Sequence, residues 1–178
     1  WHLADDQAFT LDLGGNLSAL AHGPPLARRL LYSRADVARV VAAARGWAVR
    51  VVPELTMPGH AHGWHAVAGM VSVCPSFACS RPWSVPMMPF AEATWRTLPA
   101  VVGAVAALFP DPVVHLGGDE VQGACWTEDA AVRREMDRRQ LRSVHDVEPH
   151  FERRLERDVI GALRAGGKRV ARWQDIWF

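Results

Sequence analysis

Short β-branched or apolar runs alternate with longer stretches of helical period along this chain. WHLAD at 1–5 reads as a strand end, followed by a Gly- and Pro-containing loop through Pro25. Ser33 with Asp36 three residues on is an N-cap pattern; it predicts a helix over 35–45 that Gly46 closes. The run at 49–53 is too short for a helix and predicts a strand. From 56 to 90 the chain is rich in Pro, Gly, His, Ser and Trp without a period, which predicts a long rim loop of the kind that usually carries function. A helix over 97–108 is expected next, with Pro99 in its first turn, where a missing N–H does no harm. Pro110 and Pro112 bracket the turn into a strand at 113–116. Thr127 is the predicted cap of a helix over 128–140, a second helix covers 148–165, Gly166 and Gly167 stop it, and a strand at 169–173 ends the pattern. Trp47 and Trp95 read as packing residues on element margins.

Strand and helix in repeated alternation predict an α/β fold, a partial TIM (β/α)8 barrel with about four of its eight units. Both Trp1 and the Trp177-Phe178 pair read as strand sequence, so 1–178 is expected to be a piece of one catalytic barrel. Four strands cannot close eight, and the open edge predicts an isolated piece that is unstable or inactive.

Composition narrows the function classes. With 178 residues and 49% hydrophobic content, one sizeable core is affordable. A net charge of +1 exerts no pull on nucleic acid, and the arginines between 133 and 172 are interleaved with Glu135, Asp137, Glu152, Glu156 and Asp158, as on a solvated helix face. No apolar run reaches the roughly 18 residues of a membrane span, and no charged-then-apolar leader opens the sequence. Three cysteines, Cys74, Cys79 and Cys125, cannot all pair within one chain. Asn16-Leu17-Ser18 is a glycosylation sequon, which points toward a secretory route.

The densest chemistry is HLGGDEVQGACW at 115–126. Neighbouring side chains on a strand point to opposite faces, so Asp119 and Glu120 could not ordinarily share a pocket. Gly117 and Gly118 lack Cβ and let the chain leave its pleat, which allows both carboxyls to lean over the strand's carboxyl end. Two such carboxyls cannot ionise equally: one stays charged and raises the other, which keeps a proton to donate. A charged stabiliser beside a protonated acid is what glycosidic cleavage requires.

HLGGDEV resembles the signature of the family 20 glycoside hydrolases, the β-N-acetylhexosaminidases. Three further segments resemble family blocks in the same order: WHLADDQAF at 1–9, VRVVPELTMPGHAHGW at 49–64 and ARWQDIWF at 171–178. The resemblance implies retaining hydrolysis of terminal non-reducing N-acetyl-hexosamine, in which the substrate's own acetamido oxygen attacks C1 and forms an oxazolinium ion. It assigns Glu120 as general acid and then base, and Asp119 as the carboxylate that orients the acetamido nitrogen. Asp5 and His60 are implied as a supporting carboxylate–imidazole pair, and Trp173 as a wall of the sugar pocket, with Trp64 and Trp126 at its rim. Thr56 or Leu55 stands where the family pattern usually has Asp, and Asp175 where it usually has Glu. The family's substrate-clamping arginine falls before residue 1, and further sugar ligands fall after 178.

By the same resemblance Cys74 is expected to bridge Cys125, which suits a secreted or lysosomal location. No cofactor is expected, and a homodimer is implied only for the full-length protein. Two rival readings differ in class. His60, His62 and His65 form HxHxxH, a pattern that could hold zinc in a metal-dependent hydrolase; alternatively the chain is a non-catalytic sugar-binding relative.

Overall fold

The computed structural model describes residues 1–21, 31–74 and 84–176. Among these residues the sheet has five strands: β1 (His2–Asp5), β2 (Ala8–Phe9), β3 (Glu54–Leu55), β4 (Val113–His115) and β5 (Arg169–Ala171). They lie in the order β2-β1-β3-β4-β5, with β1, β3, β4 and β5 parallel and β2 folded back antiparallel on β1. The helices are α1 (Arg34–Gly46), α2 (Glu92–Leu108), α3 (Gly123–Glu128), α4 (Ala130–Arg139), α5 (Val144–Leu155) and α6 (Gly161–Ala165). Parallel strands joined through helices, in sequence order across the sheet, form half of a (β/α)8 wall.

Ser33 and Asp36 form the expected reciprocal cap of α1. The run at 49–52 does not pair as a strand, and β3 begins only at Glu54. The reason lies upstream: Ala48 takes a φ of 56° and Val49 N–H bonds back to Ala44, so the chain is still leaving the helix where its β-branched residues fall. Arg50 then turns outward to Asp111, with Nε 2.7 Å from Oδ2.

α2 starts at Glu92, earlier than the pattern suggested, which places Pro99 in its interior. Thr94 Oγ1 donates to Met88 O at 2.8 Å and Trp95 Nε1 to Pro89 O at 2.8 Å, and both side chains are buried. Anchoring the first turn in this way outweighs the backbone bond that Pro99 removes. α4 is capped by Asp129, not Thr127: Asp129 Oδ1 accepts from the N–H groups of Ala131 and Val132 at 2.8 and 3.1 Å. α5 likewise starts before 148, because Asp146 accepts from the N–H of Ser143 at 2.9 Å. It continues through a π turn at Glu156–Ile160 into α6, and Gly167, at φ 80°, ends the run as expected.

The main core packs Leu3, Phe9, Leu55 and Val114 of the sheet against Leu98, Val102 and Val105 of α2 and Phe151 of α5. A smaller cluster around Trp126, Val132, Met136 and Val147 fixes α3 and α4 beside the sheet's carboxyl edge. Cys74 and Cys125 form a disulfide with Cα atoms 4.8 Å apart, which ties the rim loop to α3; Cys79 lies outside the described residues. Trp95 is a packing residue, but Trp47 is 85% exposed just beyond α1. Trp64 and Trp126 are fully buried, so neither stands at a pocket rim. Their indole N–H groups are spent on Thr56 O and Met87 O. No helix among the described residues is long and apolar enough to cross a membrane.

Candidate active site

The carboxyl ends of β1, β3 and β4 converge on a cavity of about 320 Å³, lined among others by Asp5, Asp6, Glu54, Thr56, His60, Asp119 and Glu120. The glycine pair works through close approach as well as backbone freedom. Gly117 sits at φ 62° and Gly118 at φ 116°, and a Cβ on Gly117 would come within 2.9 Å of Thr56 Cα. Only a bare backbone lets the β4 corner nest against the β3 corner. Glu120 and His60 also adopt positive φ, 47° and 48°, which non-glycine residues take rarely. These angles turn both side chains back toward the same space.

His60 is the hub. Its Nδ1 lies 2.8 Å from Asp6 Oδ2, and its Nε2 lies 3.4 Å from Glu120 Oε2 and 3.9 Å from Asp119 Oδ2. The hydrogen bond that His60 donates to Asp6, together with the charges of Asp6, Asp119 and Asp5, outweighs burial and raises the imidazole from 6.5 to about 9. At neutral pH the ring is therefore cationic and faces both carboxyls of the pair.

Its carboxylate partner is Asp6, not Asp5. Asp5 is the last residue of β1, and its side chain turns to His2, with Oδ2 3.2 Å from His2 Nδ1. Asp6 opens the tight turn into β2, and that turn aims its carboxylate across the cavity. Asp6 Oδ1 and its backbone carbonyl also receive His62, at 3.4 and 3.1 Å. Asp5 remains in the cavity wall.

The carboxyl raised in this structure is Asp119, the member to which the family resemblance gave the charged role. Burial is the main cause, and the negative charges of Glu54 and Glu120 add to it against the pull of His60. Asp119 is 30% exposed, with Oδ1 buried and without a hydrogen-bond partner among the described residues, while Glu120 is 58% exposed toward the cavity mouth.

Trp173 follows β5 and donates Nε1–H to Glu54 Oε1 at 3.0 Å; its ring tilts against His115 with centroids 4.7 Å apart. It stands behind Glu54 rather than among the cavity's own lining residues. Glu54 itself escaped the sequence reading, although a charged residue closing an apolar run was a visible signal. Burial opposes its ionisation, but His115, His2 and the Trp173 N–H hold its carboxyl below the usual range. Arg172, beneath the cavity, also went unnoticed.

His60, His62 and His65 do not converge as ligands. His62 is turned to Asp6, and His65 Nδ1 lies 2.8 Å from His62 O. Among the described residues, the one group of three whose ligand atoms fall within 4.8 Å of one another is Asp5, Asp6 and His60. Its Asp6–His60 bond already accounts for that closeness.

Known proteins resemble this chain in sequence and in fold. The chain is 31% identical to beta-hexosaminidase subunit A1 of Dictyostelium discoideum over 88% of its length, covering 29% of that protein. It is 26% identical to beta-hexosaminidase subunit beta of Mus musculus over 99% of its length, covering 32% of that protein. The chain thus spans about three tenths of the length of these relatives. Among solved structures, it superposes on the GH20 exo beta-N-acetylglucosaminidase from Vibrio harveyi, in complex with N-acetylglucosamine, with a TM-score of 0.76. That match has 22% identity and covers 98% of this chain and 30% of the other, and it supports the partial TIM-barrel fold. The model of glycosyl hydrolase family 20, catalytic domain, matches residues 1–177, and the chain belongs to that family.

Proposed function

We propose that the full-length protein containing this chain is a β-N-acetylhexosaminidase that removes terminal non-reducing N-acetyl-hexosamine from glycans with retention of configuration, and that residues 1–178 supply one part of its catalytic barrel. The observation that carries this reading is the convergence of Asp119 and Glu120 on one imidazole, 3.9 and 3.4 Å from His60 Nε2, at the wall of a single cavity.

Glu120, at the open side of the cavity, protonates the leaving glycosidic oxygen while the substrate's acetamido oxygen attacks C1. The carboxylate left behind is stabilised by the His60 imidazolium, which Asp6 holds by its other nitrogen. Glu120 then takes a proton from the incoming water as the oxazolinium ring opens. Asp119, lower in the cavity, receives the acetamido N–H. The burial that disfavours its anion in the empty site makes that anion's attraction for a developing positive charge stronger once the charge appears. Glu54 and the indole of Trp173 brace the far wall.

The disulfide between Cys74 and Cys125 supports a secreted or lysosomal location. The expected partner is an N-acetyl-hexosamine-terminated glycan, and a homodimer belongs to the same reading of the full-length protein. Replacing Glu120 by Gln in that protein should cut kcat on an aryl N-acetylglucosaminide by at least about a hundredfold. An unchanged rate would move the acid elsewhere and overturn the assignment.

A further inference from the structure

Arg172 is the residue that most directly joins the two arms of the site, and no step of the proposed chemistry uses it. It leaves the carboxyl end of β5 and turns its guanidinium beneath the cavity, where its side chain is only 6% exposed. Nε donates to Gly117 O at 3.0 Å, and Nη2 donates to Met57 O at 3.3 Å. Nη1 and Nη2 form a fork onto Glu152 of α5, each at 2.7 Å. Met57 leads through Pro58 and Gly59 into His60, and Gly117 leads through Gly118 into Asp119 and Glu120. One planar group therefore holds the backbone entering each arm and braces both against a helix.

Packing at this point leaves no slack. A Cβ on Gly118 would lie 2.9 Å from Arg172 Nη2, and a Cβ on Gly59 would lie 2.5 Å from Asp119 O. The two corners thus touch each other above the guanidinium. A lysine could not reproduce the arrangement, because an ammonium lacks the fixed fork that reaches two carbonyls and a carboxylate in one plane. Burying an ion pair is seldom a net gain in stability, so its geometric role is the more telling property.

We infer that Arg172, braced by Glu152, is a positioning residue that sets the spacing between His60 and the Asp119–Glu120 pair. This rests on the reading that the pair performs the hydrolysis. The charged groups facing the guanidinium are Glu152 and Glu148 of α5, and Asp175 beyond β5 adds its charge at Glu148. Burial and the Glu152 charge raise the Glu148 carboxyl, with Arg172 pulling it down. Asp175 Oδ2 lies 3.4 Å from the Glu120 N–H. Glu152 is the carboxylate bonded to Arg172, so removing it leaves the guanidinium with less negative charge to balance it.

The test uses the full-length protein with Arg172→Lys, Glu152→Gln and Glu120→Gln, and measures kcat, KM, the pH profile and the urea unfolding midpoint. Arg172→Lys should lower kcat at least about tenfold with KM changed less than about threefold, because a small misplacement of catalytic groups is felt in the chemical step. Glu152→Gln should shift the acid limb of the kcat/KM profile to lower pH, as the freed guanidinium charge favours the Asp119 anion; a merely structural loss would scale the profile without moving it. The inference is overturned if Arg172→Lys keeps kcat within twofold, or if both variants lose rate only in proportion to their unfolded fraction with unmoved profiles. Should Arg172→Lys fail to fold, Glu152→Gln decides alone. Full activity of Glu120→Gln would instead sink the underlying reading, which separates the two failures.

Discussion

Replacing Asp6 by Asn isolates the interaction on which the charge state of the site depends. Asp6 Oδ2 stands 2.8 Å from His60 Nδ1, and this bond leads the causes that raise the imidazole from 6.5 to about 9. That span is a ratio of roughly 300 in proton affinity, or a ceiling of about 3.4 kcal/mol. The ring is 16% exposed and its Nε2 edge meets the cavity, so solvent screening reduces the expected value to about 1–2 kcal/mol. Because the folded value is raised, the contribution is fully present below about pH 6.5 and is lost as pH rises through about 9. The assay is urea unfolding of wild type and Asp6→Asn across pH 5 to 10, with NMR titration of the assigned His60 imidazole. The stability gap should be largest in the acidic half and narrow through about pH 9, leaving only the small residue from the weakened His62 N–H contact. In the variant the His60 midpoint should fall toward 6.5. A midpoint that stays near 9 would refute the reasoning, as would a gap that does not change with pH.

Other consequences follow from geometry. Gly118→Ala places a Cβ 2.6 Å from Ile176 Cγ2 at a φ of 116°, so it should destabilise by about 2 kcal/mol or more and lower kcat. Gly103→Ala, on an open face of α2 with nothing within 4 Å, should stabilise by about 0.5–1 kcal/mol, and thermal melting of the pair checks the contrast. Cys74→Ser opens a loop of sequence separation 51 and should cost about 2–4 kcal/mol in urea unfolding; a change below about 0.5 kcal/mol would contradict the bridge.

Local chemistry was legible wherever it acts over a few residues. Ser33 with Asp36, the Gly167 stop, and the strands leading into Asp5, Asp119 and Trp173 all follow from neighbours in sequence. Boundaries shifted where distant contacts intervened. α2 gained a turn because Thr94 and Trp95 found carbonyls of the rim loop, and the cap of α4 passed from Thr127 to Asp129 because a carboxylate could also receive Val73 N–H at 2.9 Å. Trp64 and Trp126 looked suited to a sugar pocket by type alone, but only their burial shows that each is consumed by packing.

The proposed reacting pair is written in the chain, since a double glycine followed by Asp119 and Glu120 can present adjacent carboxyls on one side of a strand end. The partner of His60, the raising of Asp119, and the clamp of Arg172 on two backbone arms were settled by folding. Each depends on which atoms from separate strands come within a few ångströms of one another, and on how much water is removed as they do. Hydrogen bonds and desolvation are set by those distances, and spacing along a sequence carries no record of them.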